Sequence, residues 1–217
     1  MRKILTLLFL TLTTSTYAQT LRQVFTQMPD SIVPLLSSVN RQDGMDYIDN
    51  DLPLDVTNKL GNITTISGEK NTYIDINTAS KAWTRLILLP STSADTLVCL
   101  IKTISVDKAK DSQIQFYDTS WKRLNTADFV TLPSRQDFMT WNDSVSEEDR
   151  AELMKKIDIE LMEISANYEK HGEEGVAVPT LTFRLHSQAY MNEDERKLVA
   201  PYIKESLTMR WNGAKFE

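Results

Sequence analysis

Few side chains in this 217-residue sequence are of a type that does covalent chemistry, and their neighbours decide what each can do. The two histidines are His171, inside the polar stretch EKHGEEG, and His186, at the end of the alternating run PTLTFRLHS. A general base or metal ligand there would need Cys, His or Asp at ligand spacing, and neither has one. Both read as surface histidines. Cys99 is the only cysteine, so no internal disulfide is possible, and Leu97, Val98, Leu100 and Ile101 enclose it. A nucleophilic thiol needs an activating base and exposure, so Cys99 reads as a small core residue of a strand.

Carboxylates are the other candidates. Asp43, Asp46, Asp49, Asp51 and Asp55 form the densest acidic cluster. Calcium favours oxygen ligands on a flexible loop, but the alternating aspartates, central glycine and final glutamate of a calcium-binding loop are out of register here. Spacings of three instead put Asp43, Asp46 and Asp49 on a solvated helix face opposite Met45, Ile48 and Leu52. Glycoside hydrolysis needs two acids placed across a cleft, and among 30 acidic residues the sequence cannot place such a pair. No G-x-S-x-G elbow occurs, and GEEG (172–175) lacks the Lys-Ser/Thr of a phosphate loop. No metal or cofactor signature is present. The balance leans away from catalysis, toward a domain that binds an envelope protein or a glycan. A hydrolase of glycans or peptides working through unidentified carboxylates is one alternative, and a small-ligand carrier is another.

The most distinctive stretch is SQIQFYDTSWKRL, residues 112–124. Ile114 and Phe116 alternate with polar residues, and then Tyr117, Asp118 and Trp121 crowd what should be a tight turn. Aromatics beside a carboxylate can stack on a sugar or anchor a partner, which makes these three residues, joined by Trp83, a candidate binding surface. They can equally close the corner of a sheet. Asp118 would then accept backbone N–H groups of Thr119 or Ser120, with Trp121 folded over the turn. Exposure of Tyr117 and Trp121 separates the two.

These residues must be positioned by an α+β fold. Leu21, Val24, Phe25 and Met28 form one helical face, stopped by Pro29. A second short helix is expected near Asp30, carrying Ile32, Val33, Leu35 and Leu36, and a third runs toward Gly61 as its C-terminal stop. From residue 62 the texture is that of strands. NITTIS and TYIDIN flank the hairpin loop GEKN; KAWTRLILL, TLVCLIKTI and SQIQFY follow at short intervals, so they pair antiparallel. Residues 82–89 and 96–104 are apolar on both faces and belong at the centre of the sheet. A helix follows, capped by Ser144 or Ser146. Residues 157–168 fit a strand or a helix; a strand would pair with PTLTFRLHS, in which Leu181, Phe183 and Leu185 share a face. A short helix capped at Asn192 and a closing strand with Leu207, Met209 and Trp211 complete the chain. The expected architecture is N-terminal helices, an antiparallel meander, then a β-hairpin, short helix and last strand.

Arg2 and Lys3 precede an apolar run, ILTLLFLTL, too short to span a bilayer, and Thr16 and Ala18 stand at the small-residue positions of a cleavage site. Residues 1–18 therefore read as a signal peptide cleaved after Ala18, leaving 19–217 as one α+β domain, periplasmic or secreted, with no integral membrane segment. The net charge is −6, and loss of Arg2 and Lys3 takes it to −8. Such an acidic chain without a basic stripe is a poor partner for nucleic acid.

The blocks QMPDSIVPLLSSVNRQDGMDYID, NKLGNITTI, LVCLIKTISVDKAKDSQIQFYDTSWKRL and SLTMRWNGAKF resemble a family of exported Bacteroidales proteins known only as a domain of unknown function. The likeness runs from Leu21 to Phe216, and DSQIQFYDTSW is its most specific part. It implies export and a single domain and supports the strand at 157–168; it implies no activity and no catalytic residues. Asp30-Ser31-Ile32, Asp95-Thr96-Leu97 and Asp143-Ser144-Val145 also resemble the O-glycosylation sequon of exported Bacteroidetes proteins, making Ser31, Thr96 and Ser144 candidate acceptors.

Overall fold

The computed structural model describes residues 20–92, 96–157, 160–170 and 175–217. The expected signal peptide and His171 lie outside the described residues. Helix α1 (Leu21–Thr26) starts at Thr20, whose hydroxyl accepts the Gln23 amide in a reciprocal capping box. It buries Leu21, Val24 and Phe25, the face its spacing predicted. Residues 30–36 form turns rather than the expected second helix, because Pro34 has no N–H to donate. Those turns are held from within by Arg41, a buried guanidinium that donates to Leu36 O and to Asp30 at 3.0 Å each.

Helix α2 (Ser38–Ile48) is shorter than the sequence suggested. Leu54–Thr57 is strand β1, and Leu52 is exposed, not part of a helical face. Gly61 sits in the following turn at φ 81°, a turn glycine and not a helix stop. The acidic residues of α2 do point outward. Asp46 and Asp49 pair with Arg22 at 3.0 and 2.6 Å, while Met45 and Ile48 are buried. Gly44 lets α2 press onto the sheet, since a Cβ there would lie 2.9 Å from Ile66 Cγ2.

Strand β1 opens a six-stranded antiparallel meander with β2 (Ile63–Glu69), β3 (Tyr73–Ala79), β4 (Ala82–Leu89), β5 (Leu97–Val106) and β6 (Ala109–Asp118), paired in chain order. The first long hairpin requires Gly68, because a Cβ there would lie 2.3 Å from Tyr73 O. After helix α3 (Glu147–Lys156), whose cap is Ser146, the chain builds a second sheet. Strands β7 (Met162–Lys170) and β8 (Ala177–Leu185) form a hairpin, and helix α4 (Glu193–Val199) leads to β9 (Leu207–Arg210), which pairs with β8. The mixed α+β class and the element order match the sequence. The inward row of β7 is Ile164 and Ala166, however, whereas Ile157 ends α3 and packs between that helix and α4.

Period-two alternation sorts the core into layers. From the meander, Ile66, Ile74, Ile76, Leu86, Val98 and Leu100 pack under α1 and α2. Their neighbours Ile87, Leu89, Cys99, Ile101, Ile114 and Phe116 face the other way, against Leu181, Phe183, Trp211 and Phe216 of the second sheet and its tail. Strands β4 and β5 are therefore apolar on both faces because both faces are covered. Cys99 is fully buried, and burial pushes its thiol well above the ordinary range.

Candidate functional site

The second sheet covers only part of the meander. Along one face of β4 the residues change from Trp83 and Arg85 to Ile87 and Leu89, and that change marks where cover begins. At the seam lies a pocket of about 200 Å³. Asp75 and Asn77 of β3, Trp83 and Arg85 of β4, Thr103 of β5 and Lys110 of β6 form its floor; Glu163 to Ala166 of β7 form its wall. Ile74 and Ile76 turn toward the helices, so the pleat turns Asp75 and Asn77 toward this pocket.

Its charges are held in fixed pairs. Arg85 Nε and Nη2 each donate to Asp75 at 2.7 Å, a bidentate pair, and Nη1 donates to Ala166 O at 2.7 Å. The guanidinium also lies 4.3 Å from the centre of the Tyr73 ring. Lys110 Nζ donates to Glu163 Oε1 at 2.7 Å and sits 5.3 Å from the centre of the Trp83 ring. His186 Nε2 lies 3.1 Å from Glu163 Oε2. Next to this pocket, the Ile164 amide donates to Ser112 Oγ at 3.0 Å and the Met162 amide to Asp111 at 3.3 Å. The outward edge of β7 is thus satisfied by side chains of the meander, a way of blunting an edge strand.

Asp75 and Glu163 both line this pocket, but both are paired with cations. Desolvation is the largest single influence on Glu163 and pushes its carboxyl up. Hydrogen bonds from Lys110 and His186, with their charges, outweigh it and hold the carboxyl below its ordinary value of 4.5. A general acid for glycoside cleavage needs the opposite shift. Because the folded-state value is depressed, this pairing contributes stability above the ordinary glutamate range and loses it as pH falls through the depressed value. Glu163→Gln should therefore be less stable than the parent at neutral pH, with the gap closing as pH drops through that range. Urea unfolding across the acid limb measures it; two parallel curves would show that the pairing is energetically silent.

The corner at Tyr117, Asp118 and Trp121 has a different role from the binding surface considered for it. Tyr117 and Trp121 are only 5% and 8% exposed, so their rings offer no stacking face. Asp118 Oδ1 accepts the amides of Ser120 and Lys122, both at 2.9 Å, which makes the turn. Trp121 folds back with its ring centre 5.4 Å from that of Tyr117, and its Nε1 donates to Val24 O at 3.0 Å. Trp83, the aromatic joined to that candidate surface in the sequence, borders the seam pocket. The polar row beside it is absent from the sequence-derived candidates, and its signal is the alternation of Asp75, Asn77 and Arg85 with buried Ile74, Ile76 and Leu86. Ser31 and Ser144 are exposed and Thr96 is half-buried.

Larger recesses lie elsewhere. One of about 520 Å³ is lined by Glu152, Lys155 and Lys156 of α3 with Tyr190 and Glu195. Its walls are long, mostly solvated side chains that a ligand would have to order at an entropic cost. Among the described residues no group of three or more His, Cys, Asp or Glu is placed to hold a metal ion. No described helix is long and apolar enough to cross a membrane.

Fold and site together define an α+β protein in which a helix-backed meander, half-covered by a second sheet, leaves a small, charge-paired pocket at the seam. The chain belongs to the family described as proteins of unknown function (DUF3256), whose profile matches residues 13–216. It is also similar to the solved structure of a domain of an uncharacterized protein from Porphyromonas gingivalis W83, at 24% identity and a TM-score of 0.73. That likeness covers 93% of this chain and 98% of the other, and it shows a shared fold. No curated protein matches.

Proposed function

We propose that this chain is an exported, single-domain, non-enzymatic binding protein of the cell envelope, and that the Trp83 pocket is its ligand site. The observation that carries this reading is a preformed polar pocket beside a half-buried tryptophan, with its carboxylates tied to Arg85 and Lys110. Preorganised polar groups around an aromatic side chain favour recognition. Ionised, cation-paired acids do not favour proton transfer. Its small, polar volume also suits it poorly to carrying an apolar ligand. Export follows from the basic, apolar and small-residue succession of residues 1–18, with Ser31, Thr96 and Ser144 as O-glycan acceptors in the exported form.

Co-sedimentation of the purified mature chain with isolated envelope material tests the reading. Trp83→Ala should weaken retention at least roughly tenfold, the ~1.4 kcal/mol expected of an aromatic anchor. Equal retention of variant and parent would remove Trp83 as the binding site. Release of soluble fragments from the envelope material by the pure chain would overturn the non-enzymatic part.

A further inference from the structure

The seam pocket is the end of a longer polar row. Antiparallel register places Asp55 opposite Thr65, Thr65 opposite Asn77, Asn77 opposite Trp83, and Trp83 opposite Thr103. A second row beside it runs Ser67, Asp75, Arg85. Side chains opposite one another share a face of the sheet, and this is the face turned away from α1 and α2. Ile66, Ile74 and Ile76, one position along in each strand, are the residues buried under those helices. The second sheet packs on the meander through Ile87, Leu89, Cys99, Ile101, Ile114 and Phe116, with Tyr73 at the margin, and among the described residues this apolar cluster holds none from β1 or β2. The first half of the meander therefore presents a face of hydroxyls, amide and carboxylate that leads across the strands to an indole.

The chemistry of that face selects its ligand. Arg85 neutralises Asp75 and Lys110 neutralises Glu163, so the pocket has no unpaired cation to attract a phosphate or carboxylate. An anion travelling along the row would also meet Asp55, Asp75 and Glu163. An apolar ligand would strand the Asn77 amide without partners and would cover the Thr65 hydroxyl and the Asp55 carboxylate it donates to at 2.6 Å. What remains is a neutral molecule with many hydroxyls on one aspect and a C–H face on another. The strands stand ≈ 4.8 Å apart, close to the repeat of a pyranose unit in an extended chain.

Building on the reading of this pocket as the ligand site, we propose that the row Asp55, Thr65, Asn77, Trp83 binds a neutral oligosaccharide. One sugar ring enters the pocket against Trp83 and the following units lie across β3, β2 and β1. Each unit finds a donor or acceptor at one strand spacing. Affinity should rise with chain length, by roughly tenfold for each well-bonded unit, the ~1–1.5 kcal/mol of a net hydrogen bond.

The indole N–H signals of the ¹⁵N-labelled mature chain read this out, with Trp83 assigned by Trp83→Phe. The probes are neutral tetrasaccharides of β-1,4-glucose, β-1,4-mannose, β-1,4-N-acetylglucosamine and α-1,4-glucose with their monosaccharides. Inorganic phosphate, a sulfated tetrasaccharide and trialanine serve as contrasts. At least one neutral tetrasaccharide should move the Trp83 signal and leave the buried Trp121 signal in place. It should bind more tightly than its monosaccharide, and Asn77→Ala with Thr65→Ala should erase that gain without unfolding the chain. Equal affinity for monomer and tetramer overturns the row. If only phosphate, the sulfated sugar or the peptide moves Trp83, the pocket is a ligand site and the saccharide class is wrong. If no probe moves Trp83 while its alanine variant still loses envelope retention, the saccharide class again falls and the binding reading stands. Loss of both effects overturns both.

Discussion

Trp121→Ala is expected to lower the free energy of unfolding by about 3–5 kcal/mol, the cost of removing a large buried aromatic side chain. The ring packs with Tyr117 on the helix side of the meander, and at 8% exposure almost all of it would be lost from the core. The indole also has a second task. Helix α1 is six residues long, too short to persist by itself in water, so its stability comes from docking. Val24 O lies in its last turn, where carbonyls lack helical partners, and Trp121 Nε1–H supplies one at 3.0 Å. Trp121→Phe keeps most of the apolar area and removes only that donor, so it should cost about 1–3 kcal/mol, the penalty of one buried unsatisfied group. Urea unfolding followed by far-ultraviolet circular dichroism measures both. A loss below about 1 kcal/mol for the alanine variant would mean that the corner does not tether α1.

The same corner shows how far local pattern can be read. Alternation in residues 112–117 placed Ile114 and Phe116 inward, and the turn chemistry of Asp118 was legible because an aspartate shapes backbone two residues on. That Trp121 takes a left-handed φ of 65° and reaches Val24 was not legible, since it depends on a helix 97 residues away. Strands β4 and β5 announced their central position by being apolar on both faces. Strand β1 did not announce itself: four residues with Leu54 and Val56 half-buried carry too little alternation to stand out from a helix tail. Pairing with PTLTFRLHS and the family likeness favour a strand over a helix at 157–168, and β7 is one, but its inward row begins at Ile164 because Ile157 is taken by the α3–α4 contact. The pocket was the least legible feature. Strand parity groups Asp75, Asn77, Trp83 and Arg85 on one face; whether that face is open or covered depends on where a second sheet, built from residues beyond 160, comes to rest.

Arg85→Ala is expected to cost about 1–3 kcal/mol, short of the penalty for a fully buried ion pair because both side chains stay partly exposed. Three elements meet at this side chain: it grips Asp75 on β3, grows from β4, and donates to Ala166 O on β7. Alanine there leaves the Asp75 carboxylate beside β7 without its counter-ion and leaves the Ala166 carbonyl without its donor. The paired replacement Arg85→Met with Asp75→Leu separates the two effects. It removes the orphaned charge and restores apolar volume, so the ion-pair part of the loss should be recovered, as buried ion pairs replaced by hydrophobic residues are often neutral in energy. The loss at Ala166 should remain, about 1 kcal/mol for a single backbone acceptor. Tyr168, whose hydroxyl donates to Leu88 O, would still hold the far end of β7. Amide hydrogen exchange locates the damage: protection should fall at Met162 and Ile164, whose N–H groups rest on Asp111 and Ser112, before it falls along β8. If exchange instead rises evenly through both sheets, Arg85 acts only on global stability, and the seam is not a separately openable part of the fold.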